Sequence, residues 1–152
     1  MVDVDIETTS NYAGGIVAIL GTSSIENCYV TGNVSGSQYV GGVVGNITNS
    51  GSVKNCYSSG VVSGSNYVGG VAGQLLDTAV VVKNCLALNS SVTATTTSVT
   101  YCLGRVTATA NVTNVTNCYY LPEMTTGGKE TKGTNGEPIS LLNEAFWKDK
   151  AG

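Results

Sequence analysis

Histidine is missing from this chain altogether, which removes the commonest general base and the commonest transition-metal ligand in one stroke. Basic residues are almost as scarce. Seven Lys and Arg stand against ten Asp and Glu, and Arg105 is the single arginine, so no basic stripe exists to displace counterions from a phosphate backbone. A nucleic-acid partner is therefore not expected. Charged residues make up 11% of the chain, less than half the usual share, and there are only two prolines. No run of about 18 apolar residues occurs, so membrane insertion by this stretch is not expected. Met1 leads into the alternation Val2-Asp3-Val4-Asp5-Ile6-Glu7 rather than a signal-peptide pattern; if the parent protein is exported, the stretch comes from within it.

What fills the space is Gly, Ser, Thr, Asn and Val, a mixture that favours strands and turns over helices. The five cysteines form no CxxC pair, so neither a zinc knuckle nor a thioredoxin-like motif is present, and no metal or other cofactor is implied.

Self-similarity organises the sequence. Tyr12-Ala13-Gly14-Gly15-Ile16-Val17 returns as Tyr39-Val40-Gly41-Gly42-Val43-Val44 and as Tyr67-Val68-Gly69-Gly70-Val71-Ala72, then in decayed form as Tyr101-Cys102-Leu103-Gly104-Arg105-Val106. A second marker follows in each unit: Ile25-Glu26-Asn27-Cys28-Tyr29, Val53-Lys54-Asn55-Cys56-Tyr57, Val82-Lys83-Asn84-Cys85-Leu86 and Val115-Thr116-Asn117-Cys118-Tyr119. A third, Gly32 to Ser37 and Gly60 to Ser65, closes the first two units. Three markers in one order at one period mean a stack of repeats.

A period near 28 residues traces a perimeter of roughly 90 Å, enough for one coil of a parallel β-helix. The expected fold is all-β: a parallel β-solenoid of about four coils, three short strands per coil. An N-terminal edge strand or cap spans 1–11. Repeats follow at 12–38, 39–66, 67–100 and 101–120, with a longer insertion in the third. Residues 121–152 form a loop and a short helix, Ser140 to Trp147, as a C-terminal cap or the start of a further domain.

Stacking places like residues in columns. Ile25, Val53, Val82 and Val115 make an apolar column. The repeated Gly-Gly is expected to supply a turn with positive φ and a close approach of backbones. Asn27, Asn55, Asn84 and Asn117 fit a left-handed corner and a side-chain amide ladder. Cys28, Cys56, Cys85 and Cys118 read as small buried hydrophobes. The acids at residues 3, 5 and 7 read as the solvated face of an edge strand, because the glycine-turn ligand pattern of an EF-hand is missing.

The runs Gly41-Gly42-Val43-Val44-Gly45, Val53-Lys54-Asn55-Cys56-Tyr57 and Gly60 through Gly64 resemble the GLUG repeat, named for its Gly-Leu/Val-Gly core. The likeness covers roughly residues 12–120. It implies a module of bacterial surface or secreted proteins, adhesin-like chains and large surface peptidases among them, and hence an extracellular or cell-surface location. It carries no catalytic residue onto this chain.

Nothing in the residues themselves supplies chemistry. A Walker loop is missing, and Gly128-Lys129-Glu130 is the nearest approach. The repeats hold only Glu26 and Asp77 as acids, too far apart for a glycosidase pair. No enzyme activity is expected. The function read from the sequence is a non-catalytic adhesion or spacer module whose partner is a surface glycan or protein. The alternatives are an accessory domain of a larger surface enzyme, or a carbohydrate-binding module in which Tyr29, Tyr57 and Tyr119 line one face. Sequons at Asn46, Asn89, Asn111 and Asn114 matter only in a secretory pathway that uses them.

Overall fold

The computed structural model describes residues 2–3, 5–96, 103–109, 113–128 and 137–139. They form an all-β solenoid in which every strand pairing is parallel. The first complete turn runs Tyr12–Gly14, Val17–Leu20, Ser24–Glu26, Tyr29–Val30 and Val34–Ser35. The second runs Tyr39–Gly41, Val44–Ile47, Ser52–Lys54, Tyr57–Ser58 and Val62–Gly64. The third runs Val68–Gly69, Ala72–Leu75, Val81–Lys83, Leu86–Ala87 and Ser91–Ala94. A partial turn lies beyond each end, so the solenoid has three complete turns rather than four coils, and five strands per turn rather than three.

The extra strands come from the corners. Asn27 breaks what reads as one run from Ser24 to Val30, and Gly14-Gly15 breaks another from Tyr12 to Leu20. Each turn therefore contributes to five sheets instead of three. No α-helix occurs among the described residues, and the expected helix at 140–147 lies outside them.

The interior is a set of columns. Ile25 pairs with Val53, Val53 with Val82 and Val82 with Val115, while Val34 sits under Val62 and Val62 under Val92. Val53, Val82, Val62 and Val92 are fully buried. Burial of each is worth roughly 1.5–3 kcal/mol before conformational entropy is subtracted.

At the Gly-Gly corner the expected close approach of backbones is present and the expected positive φ is not. Among the described glycines only Gly128 has positive φ, so left-handed backbone does not explain the pair. Space does. A Cβ on Gly41 would lie 2.0 Å from the Val44 carbonyl oxygen, and one on Gly42 would lie 2.2 Å from the Gly70 carbonyl oxygen and 2.5 Å from Ser58 Oγ. The corner folds inward until it touches the strand on the opposite side of its own turn, and no side chain fits there. The left-handed non-glycine positions are Asn27, Asn49, Asn55, Asn84 and Asn117, together with Tyr67.

Candidate functional site

The second marker builds the sharpest feature of the wall. Asn27, Asn55, Asn84 and Asn117 all have positive φ, between 51° and 56°. Asn55 Nδ2 donates to Asn27 Oδ1 at 3.0 Å, Asn84 Nδ2 to Asn55 Oδ1 at 3.0 Å, and Asn117 Nδ2 to Asn84 Oδ1 at 3.3 Å. Both amide groups of the inner members are occupied along the solenoid axis, so the ladder ties turn to turn.

One residue on, the cysteine column turns inward. Cys56, Cys85 and Cys118 are buried and Cys28 is half-buried; all four are free thiols. Each Sγ lies 3.1–3.3 Å from the carbonyl oxygen just before its own asparagine, on Glu26, Lys54, Lys83 or Thr116. Cys56, Cys85 and Cys118 also reach a carbonyl of the turn below, at 3.7–3.8 Å. Burial holds the Cys56 thiol above its ordinary pKa. Cys85 is pushed far above the thiol range by its hydrogen bond with Cys118 and then by burial. The same hydrogen bond lowers Cys118; the protonated Cys56 and Cys85 thiols donate hydrogen bonds and are poor nucleophiles.

Tyr29 and Tyr57 stack with ring centroids 4.8 Å apart and planes at 7°. Leu86 follows in register and separates them from Tyr119. The three tyrosines singled out from the sequence are therefore one stacked pair and an outlier. A longer stack lies elsewhere: Tyr12 on Tyr39 at 4.9 Å and Tyr39 on Tyr67 at 5.1 Å. Those rings mark the repeat in the sequence, and their equal register was the clue that they also form a column.

The third marker borders a cleft of about 310 Å³ lined by Gly36, Ser37, Ser63, Gly64, Ser65 and Thr95. It crosses successive turns and exposes hydroxyls with no ionisable group. Four of the acids make structural contacts. Asp3 Oδ1 accepts from Thr31 Oγ1 and Asp5 Oδ1 from the Asn33 backbone N–H, both at 2.7 Å. Glu26 pairs with Lys54 at 3.3 Å, a surface contact of the kind worth ~0–1 kcal/mol. Asp77 accepts from the Ala79 N–H within an exposed turn. Two sequon asparagines, Asn46 and Asn89, are buried, and Asn114 Nδ2 donates to the Thr78 carbonyl at 2.6 Å. Asn111 lies outside the described residues.

Comparison with known proteins gives two findings. Residues 9–35 and 36–63 each match the GLUG motif. A solved structure from Bacteroides ovatus, of a candidate immunoglobulin A1 protease, is similar with a TM-score of 0.73 and 26% identity over 92% of this chain. This chain spans 48% of that protein. No curated protein matches significantly.

Proposed function

Taking the chain as a GLUG-motif repeat protein, we propose that it is a non-catalytic accessory module of a bacterial surface or secreted protein, serving as a spacer or adhesive segment. The observation that carries this reading is the commitment of the recurring asparagines and cysteines, and of Asp3, Asp5, Glu26 and Asp77, to bonds between or within turns. The asparagines form the ladder, the cysteines serve the corner carbonyls, and the acids hold Thr31, Asn33, Lys54 and Ala79. Side chains committed to the wall are not free to move protons or attack a substrate. Similarity to half of a candidate peptidase supports an accessory role beside an enzyme.

The experiment is incubation of the purified chain with immunoglobulin A1, read by intact mass. The substrate is expected to remain whole. Cleavage that scales with the amount of chain sinks the accessory reading.

The hydroxyl-lined cleft favours one second reading, recognition of a neutral glycan. A glycan array of the wild-type chain beside Tyr29→Ala, Tyr57→Ala and Ser63→Val variants tests it. A blank array from folded protein removes this reading. Loss of signal only in the tyrosine variants places the glycan on that stack, and loss only in Ser63→Val places it in the cleft.

A further inference from the structure

Cys85 and Cys118 are held in register from both sides. Val82 pairs with Val115 and Lys83 with Thr116 on one flank, and Leu86 pairs with Tyr119 on the other. Between the flanks, Asn117 Nδ2 donates to Asn84 Oδ1 at 3.3 Å, immediately before the two cysteines. The cysteines therefore occupy one rung of neighbouring turns. In-register parallel strands lie about 4.8 Å apart, inside the Cα separation of about 4.4–6.8 Å that a disulfide spans.

Both side chains belong to the core. Every thiol of the column is held by carbonyl oxygens, but this pair adds a contact of sulfur with sulfur, because the two thiols share a hydrogen bond. The pair also spans a junction with fewer backbone bonds than the one below it. Ala72–Leu75 pairs with Val44–Ile47 through three residues, whereas on its other side the described residues give a single bridge, Ala72 to Thr107. Val81–Lys83 pairs three residues with Ser52–Lys54 and two with Val115–Thr116. Val82 is fully buried, while Val115 is partly buried. The rungs here are 33 residues apart in sequence, against 28 and 29 lower in the column, so more chain has to be ordered to close this turn.

We propose that Cys85 and Cys118 are a disulfide-forming pair, a covalent clip between the third turn and the partial turn that follows it. The oxidant is a low-molecular-weight disulfide, RSSR. Cys118 loses its proton and its thiolate attacks one sulfur of RSSR; the S–S bond breaks, one RSH leaves, and Cys118 carries the mixed disulfide. Cys85 then loses its proton and attacks the Cys118 sulfur, which forms the protein disulfide and releases a second RSH. Two protein thiols are oxidised as RSSR is reduced to two RSH. The order of attack follows the shared hydrogen bond, which lowers the Cys118 pKa and raises that of Cys85. In the cell the clip rests on the surface or secreted location proposed above, where oxidising conditions let disulfides persist.

The test refolds the whole reduced chain from urea in a buffer of reduced and oxidised glutathione, so that burial does not bar the thiols from the oxidant. Circular dichroism checks folding, the remaining thiols are alkylated, and intact mass with peptide mapping counts and places the linkage. The expected product carries one disulfide, Cys85–Cys118, with Cys28, Cys56 and Cys102 alkylated. Its melting temperature is expected to exceed that of the reduced chain by roughly 10 °C, because the link closes a long loop. A Cys28→Ala/Cys56→Ala/Cys102→Ala chain, which keeps the pair alone, is expected to oxidise in the same way. A folded wild-type chain with all five cysteines alkylated overturns the proposal. So does a glutathione adduct that persists on Cys118, a linkage that maps to any other pair, or a clipped chain that melts no higher than the reduced one. These outcomes depend on the chain alone, so a failure here leaves the proposed location standing.

Discussion

Asn55 separates two contributions that are usually entangled. Its φ is 52°, and its side chain both donates to Asn27 and accepts from Asn84. Replacement by Gly keeps the corner free of strain but removes both ladder bonds. At a solvent-exposed site each is worth about 0.5 kcal/mol, the lower end for a hydrogen bond, and the flexibility of Gly in the unfolded chain costs about 0.5–1 kcal/mol more. Asn55→Gly is thus expected to destabilise by about 1.5–2 kcal/mol. Asn55→Ala loses the same bonds and lacks the short polar side chain by which Asn tolerates left-handed backbone, a further cost of about 1–2 kcal/mol, giving about 2–3 kcal/mol in all. The expected order of stability is Asn, then Gly, then Ala, the reverse of the Gly–Ala order for ordinary strand or helix positions. Urea unfolding followed by far-ultraviolet circular dichroism reads it, provided the slope with denaturant is unchanged among the three. An alanine variant as stable as the glycine variant, or more so, refutes the argument that backbone handedness governs this corner.

Other consequences follow from the same wall. Gly42→Ala drives a Cβ into the Gly70 carbonyl and Ser58 Oγ and is expected to cost about 3 kcal/mol or more by urea unfolding, whereas Gly21→Ala, with nothing within 4 Å, should be close to neutral. Asn89 is buried and its Nδ2 donates to the Gly60 carbonyl at 2.6 Å, so Asn89→Ala leaves that acceptor unpaired and should lower stability by about 1–3 kcal/mol. The Cys56 thiol gives a pH dependence. Cys56 has a folded pKa raised above the unfolded value by burial, so the unfolded chain releases that proton first as pH rises. Stability from this source is complete below about pH 8.5 and falls above it, by up to about 1.4 kcal/mol per pH unit while the thiol stays protonated in the folded chain. Melting curves should show the decline, and a Cys56→Ala variant should flatten it; a decline of equal slope in that variant assigns it elsewhere.

The repeat, the parallel solenoid and the columns were legible because stacking copies a sequence period directly into space. Ile25, Val53, Val82 and Val115 share a marker position and therefore share a column. The number of strands per turn was not legible. Periodicity registers apolar runs, and a single left-handed residue such as Asn27 interrupts a strand without interrupting the run. Of the two roles expected of Gly-Gly, the close backbone approach is present and the positive φ is not, for a related reason. Sequence shows that no side chain is tolerated, but positive φ and steric contact leave the same trace, and only the 2.2 Å approach to the Gly70 carbonyl distinguishes them. The insertion that separates Tyr57 from Tyr119 in the stack is also chemical rather than numerical: the third unit has Leu86 where the others have tyrosine.

The stacked rings bear on what such a wall can recognise. A sugar binds an aromatic side chain by lying on its face. In Tyr29–Tyr57 and Tyr12–Tyr39–Tyr67 the faces are turned toward one another along the solenoid axis, at 4.8–5.1 Å, so an inner ring such as Tyr39 has both faces covered by its neighbours. What these columns present outward is ring edges and phenolic hydroxyls, repeated once per turn. Face stacking is thereby restricted to a terminal ring, and recognition along the length of the solenoid has to proceed by hydrogen bonding. The cleft formed by Ser37, Ser63, Ser65 and Thr95 offers that chemistry across successive turns. Under the glycan reading proposed above, stacking within the tyrosine columns leaves the terminal rings and the hydroxyl-lined corner as the places to test.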